Sequence, residues 1–250
     1  MTCSELIGKD KLIKIMSLST LFKSLDEAQV EKLLDSGKIS SYSRGTILHH
    51  QGDLIKQIYL ILDGSVMTLR TSEGGDEALL QLLHPGDTFM EAFVFLNAPL
   101  LVSVQAITEA TLLTIPASAV YNLVYTNSYF SQNIIKVISE QYKEAILKID
   151  SILLRSPFHR VGYYLLKLLI AGECKHLLLT LPSQKSLIAN HLGMKPETLS
   201  RALAEIKKIG IHIEGNEITL PTVFSLCQFC DMETSLNCKN NTSPSCLLKT

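Results

Sequence analysis

Residues 181–220 read LPSQKSLIANHLGMKPETLSRALAEIKKIGIHIEGNEITL, and their punctuation decides how the chain is organised. Ser183 offers a hydroxyl to an orphan amide and caps a helix running to about His191. Leu192-Gly193-Met194 makes a tight turn, and Pro196 opens a second helix with its φ angle already set. On that helix Leu199, Leu203 and Ile206 share an inner face, leaving Glu197, Thr198, Ser200, Arg201 and Lys208 to face outward. Two helices about a short glycine-containing turn form a helix-turn-helix, whose second helix enters the major groove of double-stranded DNA. IHIEGNEITL then reads as a hairpin turning at Gly215-Asn216, the wing of a winged helix. Residues 183–213 carry five Lys/Arg (Lys185, Lys195, Arg201, Lys207, Lys208) against Glu197 and Glu205, a local net charge of +3. Arg201 can bond guanine O6 and N7 in a fork, and Glu197 can accept from cytosine N4. The remaining basic groups, Lys195 among them, suit phosphates, which position without specifying. The plainer alternative is a helical pair used only for packing, with a solvated basic face.

The rest of the chain frames this segment. Its 250 residues suffice for one large domain or two of ordinary size. Hydrophobic residues make up 46% and charged residues 19%, values that suit filled cores. The formal net charge is −1, so a nucleic acid must be met by a local patch and not by an overall basic field. The N-terminus lacks a signal peptide's apolar core, and no apolar run approaches the roughly 18–20 residues of a membrane span. The expectation is a cytoplasmic protein with no membrane partner. No nucleophile–base pair or phosphate-cradling glycine loop stands out, which argues against an enzyme.

Upstream, residues 18–37 read as short helices, with Asp26 near a helix start and Gly37 after its end. From Tyr42 short β-prone runs are punctuated by glycine. IYLILDGSVMTLRT (58–71) reads as two strands joined in a hairpin by Asp63-Gly64, and Gly74-Gly75 repeats the device. Six or more such strands, with turns roughly every 10 residues, indicate a β-barrel or roll. Past Pro116 the pattern is helical to about Leu154. There Ile135, Ile138, Tyr142, Ala145, Ile149 and Ile152 step by threes and fours, an a/d seam about two and a half heptads long. Such a seam packs on its own barrel or on a second copy of the chain in a homodimer. Pro157 opens a further helix and a second domain. The expected fold class is α+β, with an N-terminal segment at 1–17 and a β-roll at 18–126. A dimerisation helix follows at 127–154, a winged helix-turn-helix at 155–222 and a cysteine-rich tail at 223–250.

This order of parts resembles the CRP/FNR bacterial transcription regulators, and SQKSLIANHLGMKPETLSRAL (183–203) is the most specific stretch of the likeness. ETLSR (197–201) resembles the recognition helix of the FNR branch. The resemblance implies a cyclic-nucleotide-binding-like roll and a homodimer on a palindromic, TTGAT-like operator, with RNA polymerase as a further partner. It also implies that Glu197, Ser200 and Arg201 read bases while Ser183 and Gln184 touch the backbone. The cyclic-AMP branch pairs a Gly-Glu with an Arg-Ser about ten residues on. Here Met90 precedes Glu91, and Leu100, Leu101 and Val102 fill the Arg-Ser region, with no Arg between Arg70 and Arg155. A buried cyclic phosphate would then lack its counter-charge, so no cyclic nucleotide is expected. His49, His50 and His84 are conceivable haem ligands, though each reads more simply as a turn or surface residue. The N-terminal cysteines that hold the cluster of the enteric FNR branch are absent apart from Cys3.

Four of the six cysteines, Cys227, Cys230, Cys238 and Cys246, stand instead in the tail. Cys227-x2-Cys230 lets two thiolates approach one metal from a single turn, and four thiolates suit an iron–sulfur cluster, most simply 4Fe–4S, or zinc. The second pair is spaced by seven residues, without a second CxxC knuckle, which favours the cluster over structural zinc. FNR-like regulators of Gram-positive bacteria resemble this in carrying a C-terminal cluster on three Cys and an Asp. One of these four Cys could therefore be a spectator, with Asp231, Glu140 or Asp150 as a ligand. Reversible disulfides and a tail without a role remain the other readings. The expectation is DNA binding controlled by an O2-, NO- or redox-sensitive cluster.

Overall fold

The computed structural model describes residues 9–75, 77–171, 177–181, 185–231, 234–235 and 238. The chain divides into two compact units, and the division falls inside one long helix, after Ala145.

The first unit opens with α1 (Lys9–Leu18) and α2 (Glu27–Ser36). Asp26 caps α2 in both directions. Its carboxylate accepts the Gln29 amide at 2.8 Å, and Gln29 Oε1 accepts the Asp26 amide at 3.2 Å. Eight strands follow: β1 (Lys38–Tyr42), β2 (Ile47–His49), β3 (Gln57–Asp63), β4 (Val66–Thr71), β5 (Glu77–Leu83), β6 (Thr88–Phe89), β7 (Ser103–Ala106) and β8 (Ala110–Pro116), with α3 (Glu91–Leu96) between β6 and β7. They form two antiparallel four-stranded sheets, ordered β1-β8-β3-β6 and β2-β7-β4-β5. This is the expected β-roll. Strand β3 is buried continuously from Ile58 to Leu62, because both of its faces are covered. Its side chains share one core with Leu12, Met16 and Phe22 from the N-terminal region and with Phe130, Ile134 and Val137 further on. Within the expected N-terminal segment, the described residues from Lys9 onward therefore form a helix that contributes to the core. β1 also starts at Lys38, ahead of the texture change at Tyr42.

Asp63-Gly64 corrects the sequence reading. β3 and β4 do not pair; they belong to different sheets. Gly64 instead turns a corner at φ +78°, where a Cβ would collide with the Glu109 carbonyl oxygen. A positive φ and a close approach select glycine as strongly as a hairpin does. Gly74-Gly75 behaves as read: β4 and β5 pair across it, with Thr71 opposite Glu77 and Gly75 at φ +86°.

Two helices complete the passage to the second unit, α4 (Ala117–Thr126) and α5 (Ser128–Leu154). Asn127 separates them because its side-chain oxygen accepts the Phe130 amide at 3.0 Å and starts α5 afresh. The second unit then contains α6 (Pro157–Ala171), β9 (Leu178–Thr180), α7 (Lys185–His191), α8 (Pro196–Lys208), β10 (His212–Glu214) and β11 (Glu217–Thr219). A 3₁₀ turn at Cys227–Phe229 follows. β10 and β11 form the hairpin read from sequence, and β9 joins them as a third antiparallel strand. The unit's core combines Leu165 and Leu169 of α6 with Ile188, Leu199, Leu203, Ile206, Ile218, Leu226 and Phe229.

Candidate nucleic-acid interface and cysteine-bearing tail

Helix α8 divides its residues by face. Leu199, Ala202, Leu203 and Ile206 are buried, while Glu197, Ser200 and Arg201 are exposed and Thr198 is half-buried. Lys195 precedes the helix in an extended conformation and, like Lys208, is exposed. The packed face thus fixes the helix, and the polar face stays available. Arg201 and Glu197 lie one turn apart, with Arg201 Nε 3.4 Å from the Glu197 carbonyl oxygen. Ser200 Oγ donates back to the Pro196 carbonyl at 3.0 Å. Lys185, Lys207 and Gly215 flank a shallow cleft of about 190 Å³ between α8 and the wing.

The turn that aims α8 is held from α6. Arg160 Nη1 donates to the carbonyls of Leu192 at 2.8 Å and Gly193 at 3.1 Å. Gly193 has φ +62°, and a Cβ there would press on Ile152 at 3.2 Å. His191 packs against Tyr164, and burial, with Lys148 and Lys167 nearby, lowers its pKa to about 4. It is neutral at physiological pH and adds no charge to the basic face. Ser183 and Gln184 lie outside the described residues.

The tail enters the same core. Leu226 and Phe229 are buried, and the turn between them is closed by the Cys230 amide donating to the Cys227 carbonyl at 3.0 Å. Phe229 meets Phe158 edge-on, with ring centroids 5.0 Å apart, and rests where only a glycine fits: a Cβ on Gly162 would run into its ring. Cys227 and Cys230 stand half-buried at the two ends of this turn, and Cys238 is also half-buried. Asp231 binds Arg155 Nη2 through Oδ2 at 2.7 Å, and its Oδ1 accepts the Thr234 amide at 2.8 Å. Burial raises its pKa, but the bonds from Thr234 and Arg155 outweigh that and leave it lowered. Among the described residues, no three His, Cys, Asp or Glu side chains gather as a metal site, and Cys3, Cys174 and Cys246 lie outside them. The donor chemistry fits a thiophilic metal at Cys227 and Cys230, which one closed turn presents together.

In the roll, Met90 precedes Glu91 where the family resemblance calls for glycine. Met90 adopts φ +78° ahead of α3, a conformation that costs a non-glycine residue on the order of 1–2 kcal/mol. Glu91 is fully buried; Gln141 Nε2 donates to its Oε2 at 3.3 Å, and Oε1 has no hydrogen-bond partner. Burial raises its pKa. Within the region read in place of the Arg-Ser pair, Leu101 is exposed, whereas Leu100 and Val102 are buried.

Along α5, Ile135, Tyr142, Ala145, Ile149 and Ile152 are exposed, at 65%, 68%, 55% and 43% for the four larger side chains. Ile138 departs from the expected seam, because it is half-buried against the first unit's core beside Ile134 and Val137. Ile146, missed by the strict heptad count, is exposed as well.

Residues 39–127 match the family model described as a cyclic nucleotide-binding domain, and residues 159–229 match the Crp-like helix-turn-helix domain. The two occur in this order, on either side of α5. The chain belongs to the CRP/FNR family. It is 29% identical over 201 residues to the cyclic AMP receptor protein of Thermus thermophilus, covering 78% of this chain and 89% of the relative. It is 24% identical over 205 residues to the anaerobic regulatory protein of Pasteurella multocida, covering 80% of this chain and 74% of that one. The fold is shared with FixK2 from Bradyrhizobium japonicum at a TM-score of 0.68 and 18% identity, over 78% of this chain and 98% of that structure. The chain is thus a CRP/FNR-type DNA-binding transcription regulator, and its relatives are regulators and not enzymes. Among the described residues, no helix is long and apolar enough to cross a membrane. Three parts escaped the sequence reading: the Gly162 notch, the Arg160 clamp and the Arg155–Asp231 pair. Only the arginines carried a signal, as cations placed just before and within α6.

Proposed function

We propose that this CRP/FNR-type regulator binds a palindromic, TTGAT-like operator as a homodimer, under the control of an O2-, NO- or redox-sensitive iron–sulfur cluster on its tail cysteines. The observation that carries the DNA half is α8, which packs one face completely and leaves Glu197, Ser200 and Arg201 exposed on the other. Thr198, Lys195, Ser183 and Gln184 serve as flanking contacts. The apolar stripe of α5 supports the dimer, since exposed Ile135, Tyr142 and Ile149 are covered by the same stripe of a second copy. Two recognition helices then meet successive major grooves about 34 Å apart.

Cys227 and Cys230, with Cys238 and Cys246, would hold the cluster. Its oxidative loss would remove the bonds that tie the outer part of the tail to the knuckle at Cys227 and Cys230. The residues of the chain do the remainder: Phe229 seats the knuckle on α6, and Asp231 fastens it to Arg155. Zinc on the same thiols, with a ligand- or haem-responsive roll, is the second reading, favoured only by the match of the roll to a ligand-binding family model. A cyclic nucleotide is not the ligand we propose. Leu100, Leu101 and Val102 fill the region where the family likeness puts the phosphate's cation, and Glu91 is already bonded to Gln141. The protein would act in a reducing cytoplasm with RNA polymerase as its partner.

Selecting bound sequences from a random DNA pool tests the DNA half. Recovery of an inverted repeat with TTGAT-like arms supports it; recovery of unrelated sequences without a repeat refutes it.

A further inference from the structure

Arg155 lies at the end of α5, next to the break before α6, and its guanidinium serves three segments at once. Its Nη2 donates to Asp231 Oδ2 in the tail at 2.7 Å, and its Nε lies 4.0 Å from Asp150 Oδ2 in the last turns of α5. Its central carbon sits 4.2 Å from the centroid of the Tyr163 ring in α6. The side chain is only 21% exposed and Asp231 only 28%, so water screens this pair less than a surface pair. Tyr163 closes the circle, since its hydroxyl is 2.9 Å from Thr234 Oγ1, and Thr234 in turn donates its amide to Asp231 Oδ1. Asp231 follows Cys230 directly. A planar fork that pairs with carboxylates and stacks on an aromatic ring is what arginine offers and lysine does not.

We infer that Arg155 and Asp231 form a latch that fastens the cysteine knuckle to the junction of α5 and α6. Asp231 acts in it as a positioning residue and not as a metal ligand. The regulatory part of this inference rests on the tail being the sensor; the latch itself does not. The junction is where a change in the tail gains most leverage. Arg160, in the first turn of α6, holds the Leu192-Gly193 turn that aims α8, and Ile152 abuts the same turn. A knuckle fastened at Arg155 biases the end of α5 and the start of α6 together, and both lead to the recognition helix.

The test compares the full-length parent, isolated without air, with Arg155→Gln, Asp231→Asn, Arg155→Lys and the charge-exchanged double variant Arg155→Asp/Asp231→Arg. Three quantities are read: amide hydrogen exchange at 226–230, bound iron and zinc, and operator affinity before and after treatment with EDTA. The latch predicts exchange at least about tenfold faster in both neutralised variants, the effect of losing one charge-assisted hydrogen bond. It predicts unchanged metal content, a smaller EDTA-dependent change in operator affinity, partial recovery in the double variant and an intermediate Arg155→Lys. Parental exchange in both neutralised variants overturns it. Metal loss in Asp231→Asn but not in Arg155→Gln also overturns it, by making Asp231 a ligand. A parent without bound metal refutes the sensor reading, while the exchange measurement still decides the latch. Parental unfolding midpoints in urea confirm that the variants fold.

Discussion

Arg201 and Lys195 are both exposed at the start of α8, yet their loss should be felt differently. Arginine pairs bidentately with one base edge, so Arg201→Ala should cost about 1–3 kcal/mol and relax preference at one position of each half-site. Lys195→Ala should weaken all sequences alike and lower the salt dependence of binding. Competition titrations against single-base operator variants distinguish the two, and a uniform loss in Arg201→Ala would contradict the assigned role. Glu91 carries a prediction of the opposite kind. Its pKa is raised by burial, so the folded chain binds this proton more tightly than the unfolded chain does. That contribution is fully present below the unfolded carboxyl value and is lost as pH rises through the folded one. Glu91→Gln removes the penalty and keeps a partner for Gln141. Its melting temperature should exceed the parent's near neutral pH, and the gap should close towards about pH 4. Parallel melting profiles for the two proteins would exclude this. The sequence marked Glu91 through the family's motif, but its burial comes from neighbours distant along the chain.

At the scale of elements, α6 and the 227–229 turn depend on each other. Gly162 leaves the space that the Phe229 ring fills. Gly162→Ala should therefore destabilise the second unit by about 1–3 kcal/mol, despite alanine's better helix propensity. A lower urea midpoint for the variant checks this; an unchanged or higher midpoint would show that the ring has room to move. The sequence exposes this pair poorly, because Phe229 reads there as a spacer inside Cys-x2-Cys. Helix α8 was legible for the opposite reason: its inner face repeats over several turns, and Pro196 marks its start. β9 spans three residues, too few for a period of two to show, and its place in the wing sheet is set by pairing with β11. Gly64 was legible as a turn but not as a corner. The distinction depends on Glu109, which lies far along the chain.

For the whole molecule, the α5 stripe and the tail carry the account. Ile149→Asp should leave each chain folded, since Ile149 is exposed, but should place a charge in the seam between copies. Sedimentation should give a dimer for the parent and a lower mass for the variant, with a matching loss of operator affinity. Equal masses would remove the stripe from the interface. The domain order was legible because each domain changes the hydrophobic period. Ile138 is half-buried against its own roll, which a heptad count does not show because it cannot tell which side of a long helix meets that roll. The central claim is that the tail thiols hold a redox-sensitive cluster, and the most direct measurement is the metal content of protein isolated without air. The account predicts a coloured protein with iron and acid-labile sulfide in equal amounts and little zinc. Colourless protein with stoichiometric zinc, or with no metal, would contradict it.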